Sequence, residues 1–181
     1  MKKIILITLF LVTLFIIAEL TGIRDNFTIA YIQSLFLNNI IISSLLFSFL
    51  FSVANLLQIP GWIFLVAAIS SLGKFHGATL TYIAANISCI ISYLIVGYLG
   101  DDALRKIDNR FIIKTLKNLD KHPIRSMILL RLVFQTFPPI NYTLALSGVR
   151  LRDYVISCMI GLPIPIIVLT IFFEVFFKRF L

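Results

Sequence analysis

The chain has 181 residues, 60% of them hydrophobic and 13% charged, with a formal net charge of +8. Soluble domains carry about 25% charged residues, so this balance excludes an ordinary water-soluble globule and indicates a one-domain integral membrane protein. Nor does the charge indicate nucleic acid: seven of the sixteen Lys and Arg fall between Arg105 and Arg125, in one loop between apolar segments, as expected of a cytoplasmic loop facing anionic headgroups.

In chain order, MKKIILITLFLVTLFIIAEL joins a basic start to a long apolar run, and no small-residue cleavage site follows. It reads as an uncleaved first span over residues 4–20, with Lys2 and Lys3 inside. Residues 28–38 are amphipathic and short, an interfacial helix rather than a crossing. Residues 1–39 thus form an N-terminal span and interfacial helix, and residues 40–177 the main membrane domain.

In residues 40–73 two apolar arms flank the polar, helix-breaking NLLQIPG. The second arm, Trp62 to Leu72, is roughly 16 Å long as a helix, too short to cross a bilayer. The pattern predicts a re-entrant hairpin whose irregular tip is buried in protein or faces a wet cavity. Residues 77–99 form a full span. Next, GDDALRKIDNRFIIKTLKNLDKHP predicts a basic amphipathic helix over 101–122. Leu104, Ile107, Phe111, Ile112, Leu116 and Leu119 share its apolar face, Asp101 or Asp102 caps it, and Pro123 ends it. A second proline-broken hairpin covers 127–148. A last span covers 151–177, kinked at Gly161, Pro163 and Pro165.

The two halves share a layout: Gln58, Pro60, Gly61 and an arm ending SSLG at Gly73, against Gln135, Pro138, Pro139 and an arm ending LSG at Gly148. With the basic loop inside, the two hairpins enter from opposite sides, as in inverted-repeat transporters. The expected fold is therefore all-α, with two opposed re-entrant hairpins, about three full spans and a surface amphipathic helix.

Arg131 stands out, because a charge within the bilayer faces a cavity, a partner or a substrate unless it snorkels to the interface. No carboxylate lies near it in sequence, and a phosphate would suit its planar fork. Pro60, Pro138 and Pro139 each lack an N–H and either kink a long helix or open carbonyls and helix N-termini to a shared cavity. Asn55, Gln58, Gln135, Thr136, Asn141 and Tyr142 cluster around these breaks, to line a polar path or to satisfy released backbone groups. Cys89 and Cys158 lack CxxC spacing and read as small buried residues, and His76 and His122 as loop histidines, so no metal site or cofactor is expected. Glu174 pairs with Lys178 at i, i+4, and Asp101, Asp102, Asp108 and Asp120 have salt-bridge readings. No catalytic constellation emerges, and no enzyme is expected.

RLVFQTFPPINYTLALSGVRLRDYVISCMIGLPIP, preceded by IPGWIFLVAAISSLG, resembles the DedA/VTT superfamily, also called the SNARE-associated Golgi protein family. The similarity spans roughly residues 55–165. Arg131, Pro138, Asn141, Tyr142, Val149, Asp153, Tyr154, Gly161 and Pro163 carry the second motif, and Pro60 and Gly61 the first. The resemblance implies facing re-entrant hairpins and a role in moving lipids or in proton coupling. The chain departs from the DedA branch in lacking any carboxylate between Asp25 and Asp101 and a second hairpin arginine, whose place falls near Phe137. Val96-Gly97 replaces the usual Gly-Arg.

An uncoupled path for phospholipid or lipid-linked phosphate fits these departures, with Arg131, Pro138, Pro139, Asn141, Tyr142, Pro60, Gly61, Gln58 and Gln135 as its binding and translocation residues. The alternatives are a secondary transporter of a small solute or ion, proton-coupled or not, and a scaffold acting through its basic helix. Expected partners are membrane lipids, through anionic headgroups or lipid phosphate; nucleic acid is not expected, and a homo-oligomer stays open. The expected location is the bacterial inner membrane, from small size and the lack of eukaryotic sorting extensions.

Overall fold

The computed structural model describes residues 9–10, 12–13, 15–17, 19–20, 22, 27–37, 40–100, 103–134 and 137–180. Of the first span expected over 4–20, residues 9–10, 12–13, 15–17 and 19–20 are described, all of them helical, and the rest lies outside the described residues. Every regular element among them is helical. Two helical stretches, Trp62–Lys106 and Leu151–Val175, are long and apolar enough to cross a membrane.

The first element, α1 (Ile29–Ser34), starts at Thr28, whose Oγ1 accepts the Tyr31 N–H at 3.2 Å, and ends in a 3-10 turn, Leu35–Leu37. Its Ile32 and the preceding Phe27 are buried in the main core. Helix α2 (Ile40–Leu56) follows. Of its four serines, Ser44, Ser48 and Ser52 each donate to the carbonyl four residues back, at 2.7–2.9 Å, and Ser43 donates to the Leu35 carbonyl, so all sit in an apolar helix without open donors. On its inner face Phe47 and Phe51 meet Phe64 with ring centroids 5.5 and 4.9 Å apart, both edge-on.

Helix α3 (Trp62–Gly100) is interrupted at Gly73, which has φ 78° and ψ 164°. This is a reversal rather than a bend. A Cβ at Gly77 would lie 2.6 Å from the Ala68 carbonyl, although the two residues would stand roughly 13 Å apart along a straight helix. The arm 62–72 therefore folds back against the limb 74–100, with Gly77 allowing backbone to touch backbone. The expected division into a short arm ending at SSLG and a long limb is what the chain adopts.

The basic stretch departs from expectation at its start. Ala103–Lys106 forms a 3-10 turn, and the helix proper, α4, runs Arg110–Lys121. Asn109 rather than an aspartate at 101 or 102 sits at its start, with Oδ1 accepting the Ile112 N–H at 3.4 Å. The reason lies in Arg105, whose Nε donates to the Ser147 carbonyl at 2.7 Å and whose two terminal nitrogens clasp Asp120 at 2.7 and 2.9 Å. That anchor holds 103–106 against the far end of α4 and keeps it from extending the helix. Leu119 is buried and Leu116 packs on the core, as the apolar face requires. The helix ends before Pro123, as expected.

Helix α5 (Pro123–Phe134) then leads to α6 (Pro138–Leu146), α7 (Leu151–Gly161) and α8 (Pro163–Phe180). Gly148 has φ 68°, the counterpart of Gly73 at the end of the second short arm. The expected kink in the last long stretch falls at Leu162, between Gly161 and Pro163. Glu174 has a long-range partner: Lys74 Nζ donates to its carboxylate at 3.3 Å across 100 residues, while the Lys178 side chain of the expected local pair lies outside those described.

Candidate functional site

Helix α2 ends in a Schellman cap built without glycine. Gln58 takes φ 61°, its N–H donates to the Asn55 carbonyl at 3.1 Å, and the Ile59 N–H donates to the Ala54 carbonyl at 2.8 Å. Pro60 then prevents the helix from resuming, and Gly61 leads into α3. The cap leaves the Leu56 carbonyl unserved. The Tyr142 hydroxyl, arriving from α6, donates to it at 3.1 Å and to Asn55 O at 2.8 Å. Of the two roles open to Tyr142, this one satisfies released backbone.

At the other tip, Pro138 and Pro139 begin α6 instead of kinking a longer helix. Proline fits there because the first N–H groups of a helix have no intrahelical partner. The two tips converge. Gln58, Pro60, Gly61 and Trp62 from the first, with Phe134, Phe137, Pro138 and Pro139 from the second, line one cavity of about 190 Å³. Gln135 and Thr136 lie outside the described residues.

Arg131 does not line this cavity. It sits one turn before Phe134 on α5 and is fully buried, so it does not snorkel. Its Nη1 donates to Asn141 Oδ1 at 3.1 Å and to Cys89 Sγ at 3.6 Å, and its guanidinium carbon lies 4.8 Å from the centre of the Tyr154 ring. Nε and Nη2 are buried without a hydrogen-bond partner. Asn141, also fully buried, accepts in addition from the Cys89 thiol at 3.8 Å and the Tyr154 hydroxyl at 3.3 Å. Gly161 makes room for this: a Cβ there would stand 3.1 Å from Arg131 Cβ and 3.3 Å from Cδ.

The cluster draws on α3, α5, α6 and α7. Sequence reading singled out Arg131, Asn141 and Tyr142 but not Cys89 or Ser88 as their neighbours. Ser88 Oγ accepts from Asn55 Nδ2 at 2.7 Å. These pairings span 33 to 52 residues, and nothing local in the sequence signals them.

A family model described as the VTT domain matches residues 59–175. The chain is a VTT-domain protein. Searches of the curated proteins and of the solved structures found no match. The VTT domain is that of the DedA and SNARE-associated Golgi family, a membrane family often linked to transport. In this protein the matched segment opens one residue before Pro60 and closes within α8, so it contains both proline tips and the whole arginine cluster.

Proposed function

We propose that this protein moves phospholipid or a lipid-linked phosphate between membrane leaflets, without energy coupling, in the manner of a scramblase. The observation carrying the proposal is the convergence of the two proline tips on one cavity, one helical turn from a buried guanidinium with two unpartnered nitrogens. In a bilayer the two helix–tip–arm units are re-entrant and enter from opposite sides. The arm 62–72 is roughly 16 Å long against roughly 40 Å for the limb 74–100, so a tip flanked by such an arm ends near mid-membrane. The tip cavity, with Gln58 on its wall, then lies on the shortest way between the aqueous sides.

Arg131 acts on that cavity from behind its wall. At an effective dielectric constant near 20, a unit positive charge attracts a phosphate a few ångströms away by about 2–4 kcal/mol. That lowers the barrier to a headgroup passing the tips without creating a deep trap. On the basic side, the exposed Arg110, Lys114, Lys117 and Lys121 of α4 face anionic headgroups. The protein acts as a non-enzymatic lipid path in a bacterial inner membrane.

The test is transfer of a fluorescent phospholipid in liposomes, read as the label reached by an impermeant quencher. Wild type, Arg131→Ala, Arg131→Lys and empty vesicles are compared, with a leakage control. Quenching well past the outer-leaflet half, lowered in Arg131→Ala and partly kept in Arg131→Lys, supports the proposal. Wild-type quenching at the empty-vesicle level removes general lipid movement and leaves a solute transporter. Movement unaffected by Arg131→Ala takes the guanidinium off the path.

A further inference from the structure

The chain has two cysteines, far apart in sequence, and the fold brings them together. The limb 74–100 and α7 run antiparallel against each other. Tyr82 donates its hydroxyl to the Met159 carbonyl at 3.0 Å, and the Tyr93 ring stands 4.7 Å from that of Tyr154, so residue numbers rise along the limb as they fall along α7. Cys89 falls between these two contacts on the limb, and Cys158 between them on α7. Buried small residues, Ala85 and Ser88 on the limb with Ser157 and Gly161 on α7, let the two backbones approach.

Arg131 marks the place where the thiols meet. Its Nη1 donates to Cys89 Sγ at 3.6 Å. On α7, Tyr154, Cys158 and Gly161 stand at i, i+4 and i+7, one face of a helix. Tyr154 covers the guanidinium, and Gly161 abuts the Arg131 stem. Cys158, between them, faces the same guanidinium, and its side chain lies within hydrogen-bonding reach of Cys89. Both thiols are free and fully buried. A pair enclosed in this way reacts with its partner before it reacts with a bulky or polar reagent, and a small lipid-soluble oxidant is what can reach it.

We infer that Cys89 and Cys158 are a redox-active pair that closes to a disulfide, pinning the limb 74–100 to α7, when a small lipid-soluble two-electron acceptor of the azo or quinone type enters the bilayer. With diamide, the Cys89 thiolate adds to one nitrogen of the azo bond, with Arg131 beside the sulfur as its countercharge. The Cys158 sulfur then attacks Cys89 Sγ. The S–S bond forms, the S–N bond breaks, and two electrons and both thiol protons leave on the hydrazine product. This link stands whether or not the protein moves lipid.

The test treats the full chain in detergent with diamide, quenches with acid, unfolds it and counts the remaining thiols by intact mass after N-ethylmaleimide labelling. Untreated wild type should take two maleimides, the oxidised monomer none, and dithiothreitol should restore both. Cys89→Ser and Cys158→Ser monomers should each still take one after diamide. Because the disulfide closes a long loop, oxidised wild type should also unfold several degrees above the reduced protein, a shift absent from both single variants. Two maleimides on oxidised wild type, thiol loss in the single-cysteine monomers, disulfide-linked dimers in place of the internal link, or a lowered Tm on oxidation would each overturn the pair.

Discussion

Removing the Tyr142 hydroxyl tests the central join of the fold with a single atom. In Tyr142→Phe, the Asn55 carbonyl keeps the Gln58 N–H at 3.1 Å, but the Leu56 carbonyl loses the donor that the Schellman cap does not provide. Leaving a buried carbonyl unpaired costs about 1–3 kcal/mol, and this one is partly buried in a membrane protein, where polar bonds average toward the lower end, so about 1.5 kcal/mol is expected. For a chain of this size that corresponds to a fall of about 3–6 °C in Tm. The assay is thermal unfolding in detergent followed through Trp62, the chain's single tryptophan, which stacks on Phe173 at 6.2 Å and lines the tip cavity. Tyr154→Phe is the control. It also deletes a buried hydroxyl, but its acceptor, Asn141 Oδ1, keeps the Arg131 donor at 3.1 Å. Tyr154→Phe should therefore cost less. A Tyr142→Phe midpoint within about 1 °C of wild type, or a larger loss in Tyr154→Phe, would refute the reasoning.

Gln58→Gly should raise Tm by about 1–2 °C, because relief of the left-handed backbone outweighs the added freedom of the unfolded chain; a fall would show that the Gln58 side chain matters more than its φ of 61°. Gly161→Ala should cost about 1–3 kcal/mol in denaturant or thermal unfolding, since its Cβ would stand 3.1 and 3.3 Å from Arg131 atoms; a neutral outcome would mean that α5 and α7 separate freely. Asp120 gives a pH signature: hydrogen bonds from Arg105 hold its carboxyl below the usual range, so its contribution is complete above the usual carboxylate value and lost as pH falls through the lowered one. The pair is exposed and contributes under about 1 kcal/mol. The Tm difference between wild type and Asp120→Asn should be full at neutral pH and close below about pH 4; a difference that persists through acid would exclude the ion pair as its source.

The sequence carried the segmentation well, because prolines, glycines and apolar runs act locally. Pro60, Pro138 and Pro163 mark helix boundaries, and Gly73 and Gly148 end the two short arms, each by the chemistry of the residue itself. What it could not carry was pairing. Arg131 was legible as an anomaly, yet its surroundings (Cys89 on α3, Asn141 on α6, Tyr154 on α7) come from three other elements. The start of the basic helix was misplaced for a related reason. Asp101 and Asp102 are good cap residues in isolation, but Arg105 ties its own segment to Ser147 and Asp120, and that link overrides local preference. The link from Lys74 to Glu174, 100 residues away, likewise has no local signal in the sequence.

These pairings also bear on how the tips could part. Among the described residues, α6 is held away from the first tip by several directional bonds. Asn141 meets Arg131, Cys89 and Tyr154, and the Ser147 carbonyl that follows α6 accepts from Arg105. Toward the first tip, its side-chain hydrogen bonds come from one group, the Tyr142 hydroxyl on the end of α2. The arm after that tip is buried through Phe64, Leu65, Val66, Ala67 and Ala68, whose apolar contacts have little directional preference and can slide. Widening the cavity between Gln58–Gly61 and Phe137–Pro139 therefore breaks the Tyr142 latch before anything else. If lipid passes between the tips, Tyr142→Phe should lower stability and raise the transfer rate, whereas Arg131→Ala lowers the rate. The two variants would then separate opening the path from attracting the headgroup. Transfer that falls in both would make Tyr142 a support for the fold and nothing more.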